Sequence, residues 1–278
     1  MPISHALLAL LVLLTLPEKT RAEPDRVLVM AHRGGLGLWP ENTLLAFRNA
    51  AGAGADVIET DIWQTRDGII VAHHDGTVDR TTDGEGHIGD LALEEIKRLD
   101  AGYRWSGDGP YPYRGPGLEI PPLAEVLDAL PDATFNIDIK DHQPGIVDAL
   151  CDLLQAKASE DRVIVGSFEA DITRAFRRRC PDVRTAATSR EASRFLLYSK
   201  LHLDWISGLN THALQVPRRI GPIKVVTPRF VAAAHRRGIQ VHVWTINDPQ
   251  EMIELTEMGV DGMFTDYPDR LMAIQKGE

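Results

Sequence analysis

Two carboxylates share one side of a strand in this sequence. In "VIETDIW" (57–63), Glu59 and Asp61 are two residues apart, so an extended chain puts them on the same side, roughly 6 to 7 Å apart. Buried together, they repel unless a positive charge lies between them or one holds a proton. A divalent cation resolves the conflict, and all-oxygen ligands favour Mg²⁺ or Ca²⁺ over zinc. "TFNIDIK" (134–140) repeats the pattern. Asn136, Asp138 and Lys140 take one side, and Phe135, Ile137 and Ile139 the other. The bland alternatives are a solvated strand end for the first pair and a simple Asp–Lys ion pair for the second.

Imidazoles supply the second half of a reaction centre. The apolar run "VLVM" ends in "AHRGG", which puts His32 and Arg33 at a strand's end. "IIVAHHDGT" carries His73 and His74, which point to opposite sides, so at most one joins His32. One imidazole could take a proton from a nucleophile while the other gives one to a leaving group. The fork of Arg33 suits bidentate phosphate binding. Three carboxylates, Lys140, Arg33 and two histidines therefore point to a metal site beside an anion site. No P-loop or nucleophile elbow is present, and Gly34, Gly35 and Gly37 lack the spacing of a dinucleotide fold.

Something must bring these groups together. Apolar strand candidates fall at 27–32, 57–63, 69–74, 134–140, 162–167, 184–188, 213–217, 239–245 and 262–266. Helical segments such as "PENTLLAFRNAAGAG", "PGIVDALCDLLQAKAS" and "DPQEMIELTEMG" separate most of them. Alternation of this kind argues for parallel strands with helical crossovers. About eight repeats fit a (β/α)8 TIM barrel, with a doubly wound sheet as the alternative. In a barrel, polar strand ends converge on one mouth. Residues 76–119 break the rhythm and read as a small insertion after the second strand, with one short helix, "LALEEIKRLD".

The chain has 278 residues and a formal charge of −10, enough for one large domain and too acidic for general nucleic-acid binding. "ALLALLVLLTL" (6–16) is uncharged and suits the apolar region of a signal peptide. Residues 1–22 thus read as a signal peptide, with an N-terminal membrane anchor second. Residues 23–278 would form the barrel of an exported, periplasmic or secreted protein. Cys151 and Cys180 read as two buried thiols, with pairing in an oxidising compartment as the alternative.

Taken in order, "AHRGG…PENT", "ETDIWQTRDGIIVAHHD", "NIDIK", "VHVWTIND" and "GMFTDYPD" resemble the glycerophosphodiester phosphodiesterase family over about residues 29–270. The resemblance implies a (β/α)8 barrel with a small insertion. It implies His32 and His74 as the acid and base pair, and Arg33 and Lys140 as the phosphate grip. Trp244 would be a substrate-facing aromatic. Glu59 and Asp61 would bind one divalent cation, with Asp138 standing where the family usually has Glu. The implied reaction cleaves a glycerophosphodiester to an alcohol and glycerol phosphate, with the substrate's own glycerol hydroxyl as a candidate nucleophile. "NIDIK" also resembles a lysophospholipase D-like branch, so a lysophospholipid is the alternative substrate. A non-catalytic phosphodiester-binding protein is the alternative from another class, and the histidine pair argues against it. "SRFLLYSKLHLDW" could help hold a lipid chain, although a buried amphipathic helix explains it more simply.

Overall fold

The computed structural model describes residues 26–107, 109–115 and 117–277. The leader assigned to residues 1–22 lies outside the described residues. In chain order the strands are β1 (Leu28–Ala31), β2 (Val57–Gln64), β3 (Ile70–Ala72), β4 (Thr134–Ile139), β5 (Val163–Gly166), β6 (Arg184–Thr185), β7 (Ala213–Pro217), β8 (Arg219–Ile220), β9 (Ile223–Lys224), β10 (Gln240–Trp244) and β11 (Gly262–Thr265). The helices are α1 (Leu44–Ala53), α2 (Leu93–Ile96), α3 (Leu123–Ala129), α4 (Ile146–Ala156), α5 (Ala170–Arg179), α6 (Ser189–Lys200), α7 (Pro228–His235), α8 (Pro249–Glu257) and α9 (Pro268–Lys276).

Eight strands lie side by side in the order β6-β5-β4-β2-β1-β11-β10-β7, each pair parallel. The ends of this row meet at Ala186 and Ala213, which form one parallel bridge. Around that bridge the Ala187 N–H donates to Ala213 O at 2.8 Å and the His212 N–H donates to Thr185 O at 3.0 Å. The result is a nearly closed (β/α)8 barrel whose β6–β7 seam is thin. By contrast, β2 and β4 are in register over six residue pairs, from Val57↔Thr134 to Ile62↔Ile139.

Strand alternation decides what fills the barrel. Ile58, Ile62, Phe135, Ile137 and Ile139 join one apolar cluster with Phe47 of α1 and Leu150 and Leu154 of α4. The intervening Glu59, Asp61, Asn136 and Asp138 are left to face the barrel axis. Helix starts are set locally. Thr43, Thr227 and Asp248 each cap a first turn, accepting from the N–H three residues on. At α6, Thr188 and Glu191 form a reciprocal capping box.

Three sequence expectations need correction. The segment 69–74 is no barrel strand: β3 runs antiparallel to β2, Trp63 opposite Val71. The excursion thus starts right after β2, and its own small core of Val71, Val78, Ile88, Ile96, Ala101 and Ile120 sits beneath it. Its helix is the single turn of α2. The "PENT" segment also differs: α1 begins at Leu44 behind its Thr43 cap, so Pro40 precedes the helix instead of opening it.

Cys151 and Cys180 are not two free thiols. They form a disulfide, with Cα atoms 5.8 Å apart and a sequence separation of 29. Sequence could not show that the middle of α4 lies against the end of α5. Closing a loop of that length restricts the unfolded chain by about 3–4 kcal/mol. We expect Cys151→Ser, or reduction of the oxidised protein, to lower unfolding free energy by about that amount. Chemical denaturation with and without reductant checks it, and equal midpoints would refute it.

Candidate active site

β1 delivers His32 and Arg33 to the barrel mouth through a tight turn. Arg33 has φ 52°, in the left-handed region, an arrangement that persists in a bulky residue only when its surroundings hold it. Here its backbone N–H donates to Glu59 Oε2 at 2.7 Å. The glycines behind it make room for neighbouring protein atoms. A Cβ on Gly34 would lie 2.8 Å from Ala46 Cβ, and one on Gly37 would lie 2.5 Å from the Tyr267 ring.

His32, Arg33, Glu59, Asp61, His74, Asp138, Lys140 and Trp244 all line one cavity of about 500 Å³. The whole set named from sequence thus converges. Of the adjacent histidines, His74 faces the cavity. His73 is buried elsewhere, near Asp75 O (2.9 Å) and Thr81 Oγ1 (3.0 Å).

Each cavity histidine is held by a carboxylate. His32 Nδ1 lies 2.6 Å from Asp266 Oδ1, and His74 Nδ1 lies 2.6 Å from Asp75 Oδ1. A partner at Nδ1 fixes the tautomer and leaves Nε2 for proton transfer. Asp266 is in turn fixed by Asn247, whose Nδ2 donates to Oδ2 at 2.6 Å. The two rings differ. Burial pulls the His74 pKa down and outweighs Asp61 and the Asp75 hydrogen bond. Burial also opposes charge on His32, but the Asp266 hydrogen bond and the charge of Glu59 outweigh it and raise the pKa.

The carboxylates form a crowded, nearly dry cluster. Glu59 is 5% exposed and Asp61 1%. Lys140 Nζ sits between Asp138 Oδ2 (2.6 Å) and Asp61 Oδ1 (3.1 Å), and despite burial these two partners hold it charged. Burial lifts Asp138 to about 6 against the pull of Lys140. Glu59 is pushed up to about 8, by burial and then by Asp61. No cationic side chain among the described residues pairs with Glu59 within ion-pair distance.

These residues fit a hard divalent cation in chemistry: three acidic oxygen donors, one of them lacking a positive partner. Their present arrangement is not a formed cluster. Among the described residues no three His, Cys, Asp or Glu side chains converge to hold an ion, and Lys140 bridges Asp61 and Asp138. The phosphate side fits as well. Arg33 Nε is buried without a hydrogen-bond acceptor among the described residues, with Asp61 Oδ2 3.6 Å away.

Sequence reading missed the residues behind the site. Asp75 and Asp266 stand inside quoted motifs, yet nothing in their spacing shows that they face a ring nitrogen. Glu41 joins Arg33 (3.0 Å) to Arg80 (2.7 Å). Asn42, at φ 55°, accepts from Thr60 Oγ1 at 2.8 Å and donates to Asp61 Oδ2 at 3.4 Å.

Comparison with known proteins agrees with this geometry. The Glycerophosphoryl diester phosphodiesterase family matches residues 32–270. The chain is 35% identical over 260 residues to a glycerophosphodiester phosphodiesterase of Caldanaerobacter subterraneus subsp. tengcongensis, covering 91% of this chain and 99% of that one. It is 34% identical over 268 residues to a glycerophosphodiester phosphodiesterase of Bacillus subtilis, covering 91% and 88%. Among solved structures, an Oleispira antarctica phosphodiesterase in complex with the product sn-glycerol-3-phosphate superposes with a TM-score of 0.74 at 27% identity, covering 90% and 97%. A Mycobacterium tuberculosis glycerophosphoryl diester phosphodiesterase domain, at TM-score 0.80 and 23% identity over 91% and 100% of the two chains, shares the fold. The family match covers most of the barrel, from the end of its first strand into its last helix, and the chain therefore belongs to the glycerophosphoryl diester phosphodiesterase family and is a phosphoric diester hydrolase.

Proposed function

We propose that this chain cleaves glycerophosphodiesters to an alcohol and glycerol phosphate by two-histidine acid–base catalysis at a site that binds one divalent cation, Mg²⁺ or Ca²⁺. The observation that carries the reading is the single cavity shared by His32, His74, Arg33, Lys140 and three carboxylates. The Oleispira antarctica protein, of the same fold, binds sn-glycerol-3-phosphate as product, which supports a glycerol phosphate in this cavity too.

His74, kept neutral by burial, takes the proton of the attacking hydroxyl. His32, whose proton Asp266 and Glu59 favour, gives one to the departing alcohol. A P–O bond forms to the nucleophile while the P–O bond to the alcohol breaks. The substrate's glycerol hydroxyl is the first nucleophile, and water opens the cyclic phosphate with the histidine roles reversed. Arg33 and Lys140 hold the phosphoryl oxygens. Glu59, Asp61 and Asp138 would hold the cation, which supplies charge neutralisation at those oxygens.

The pKa directions fix a pH profile. A group needed neutral whose pKa lies below 6.5 gives an acid limb, and a group needed protonated whose pKa lies above 6.5 gives an alkaline limb. We expect a bell-shaped kcat/KM, with the acid limb lost in His74→Ala and the alkaline limb lost in His32→Ala. The reverse pattern would exchange the two roles.

A second reading of the substrate rests on the cavity's far arm. Ala187, Ala192 and Leu196 of α6 and its approach, with Val216, Ile220 and Val225, give that arm an apolar lining. A lysophospholipid's acyl chain fits such a surface. Assay of glycerophosphocholine, glycerophosphoethanolamine and lysophosphatidylcholine, each with Mg²⁺ and with Ca²⁺, decides between them. Turnover of the first two alone would remove the lysophospholipid. Tight binding of all three without turnover would instead make the protein a binder.

We also propose that the protein is exported. The uncharged stretch at residues 6–16 and the Cys151–Cys180 disulfide support this, since such bonds persist in oxidising compartments. Membrane attachment through an uncleaved leader is the alternative, and N-terminal sequencing of the mature protein separates the two.

A further inference from the structure

One side chain of the insertion touches both halves of the machinery without lining the cavity. Arg80 Nε donates to Asp75 Oδ2 at 2.5 Å, and its two terminal nitrogens donate to Glu41 Oε1 and Oε2, both at 2.7 Å. The other oxygen of Asp75 holds His74 Nδ1 at 2.6 Å. Glu41 Oε1 also accepts from Arg33 Nη1 at 3.0 Å. Arg80 is therefore one bond removed from the proposed base on one side and from the proposed phosphate grip on the other. We propose that Arg80 is a positioning residue for the phosphodiester reaction, fixing His74 through Asp75 and keeping Arg33 free for phosphate through Glu41.

The physical case has two arms. Asp75 directly follows His74 in the chain, so its carboxylate can turn about a short tether. Clamping the second oxygen leaves the first on Nδ1, which orients the ring. Glu41 is a mostly buried carboxylate between two guanidinium groups. Burial works to raise its pKa, yet the two arginines bring it down to about 2. Without Arg80, Glu41 keeps one cationic partner, Arg33. A bidentate Glu41–Arg33 pair would then compete with phosphate for the same donors. Lysine cannot substitute, because a point charge cannot serve Asp75 and both oxygens of Glu41 at once.

This rests on the roles assigned above to His74 and Arg33. The test uses metal-supplemented protein with glycerophosphocholine, and measures kcat, KM, competitive inhibition by inorganic phosphate, and Tm. Arg80→Ala and Arg80→Lys are each assayed with and without added guanidinium ion. A displaced base lowers kcat by about 10- to 100-fold, and KM and the phosphate inhibition constant should rise together. Lysine should recover little, and guanidinium should recover part of kcat in Arg80→Ala. In an Asp75→Asn background, Arg80→Ala should change kcat less while still raising KM. Wild-type kcat and phosphate inhibition with only a lowered Tm would overturn the proposal, as would full rescue by lysine. If Arg80→Ala fails to fold, wild-type kinetics in Arg80→Lys overturn it alone. Mild effects of His74→Ala and Arg33→Ala would instead sink the parent reading, whereas severe effects there with a silent Arg80 would sink only this one.

Discussion

Alanine in place of His32 or His74 is expected to lower kcat by roughly 10²- to 10⁴-fold, the usual contribution of a general acid or base. Both rings line the cavity and both are held at Nδ1 by a carboxylate about one hydrogen bond away. Neither belongs to the apolar clusters between strands and helices, so Tm should change little. The double variant should lose far less than the product of the two single losses, because a base without its acid no longer completes the reaction. His73→Ala is the control. Its ring faces Thr81 and the backbone of Asp75, so it should affect stability more than rate. Severe kinetic loss in His73→Ala with a mild His74→Ala would reverse the assignment.

Removing divalent cations is expected to abolish most turnover, and Mg²⁺ or Ca²⁺ should restore it. The reason is Glu59, which is buried beside Asp61 and pushed up to about 8. A raised folded-state pKa stabilises the fold fully below the ordinary value of 4.5, and that contribution is lost as pH rises through about 8. Metal-free protein should therefore lose Tm across that interval. Cation binding, which displaces the proton, should raise Tm more at its alkaline end than at its acid end. Asp138→Asn should weaken activation by either ion. An unchanged activation constant would leave Asp138 as the partner of Lys140 alone. Full activity of a stripped sample, verified by elemental analysis, would refute the metal requirement altogether.

Much of this was legible in the sequence because alternation along a strand is a strict rule. Glu59 and Asp61 had to share a side, as did Asp138 and Lys140, and apolar neighbours fixed which side faced the helices. Barrel strands were legible for the same reason: seven fall within segments marked by apolar runs, and β2 overruns its segment by Gln64 alone. The ninth run, 69–74, is equally apolar but turns back on β2, a choice made by the insertion's own core and invisible in local pattern. Contacts between distant loops were also hidden. Asp266 meets His32 across 234 residues, and Arg80 meets Glu41 across 39. The disulfide belongs with these, since thiol and half-cystine look alike until α4 and α5 are seen together.

The thin seam between β6 and β7 has a mechanical meaning. A hoop under load deforms at its weakest link, and here that link is a two-residue strand joined by one bridge. The histidines and carboxylates sit on or just beyond β1, β2, β3 and β4, and β2 and β4 are joined over six registered pairs. Compliance is thus placed beside Ala186, Ala187 and Val216, which line the apolar arm of the cavity, and stiffness beside the reacting groups. Amide exchange should accordingly start at Ala187 and His212 while Thr60 and Ile62 stay protected. Widening of the barrel for a bulkier apolar group in that arm is therefore expected at the seam, leaving the distance between the two proton carriers unchanged.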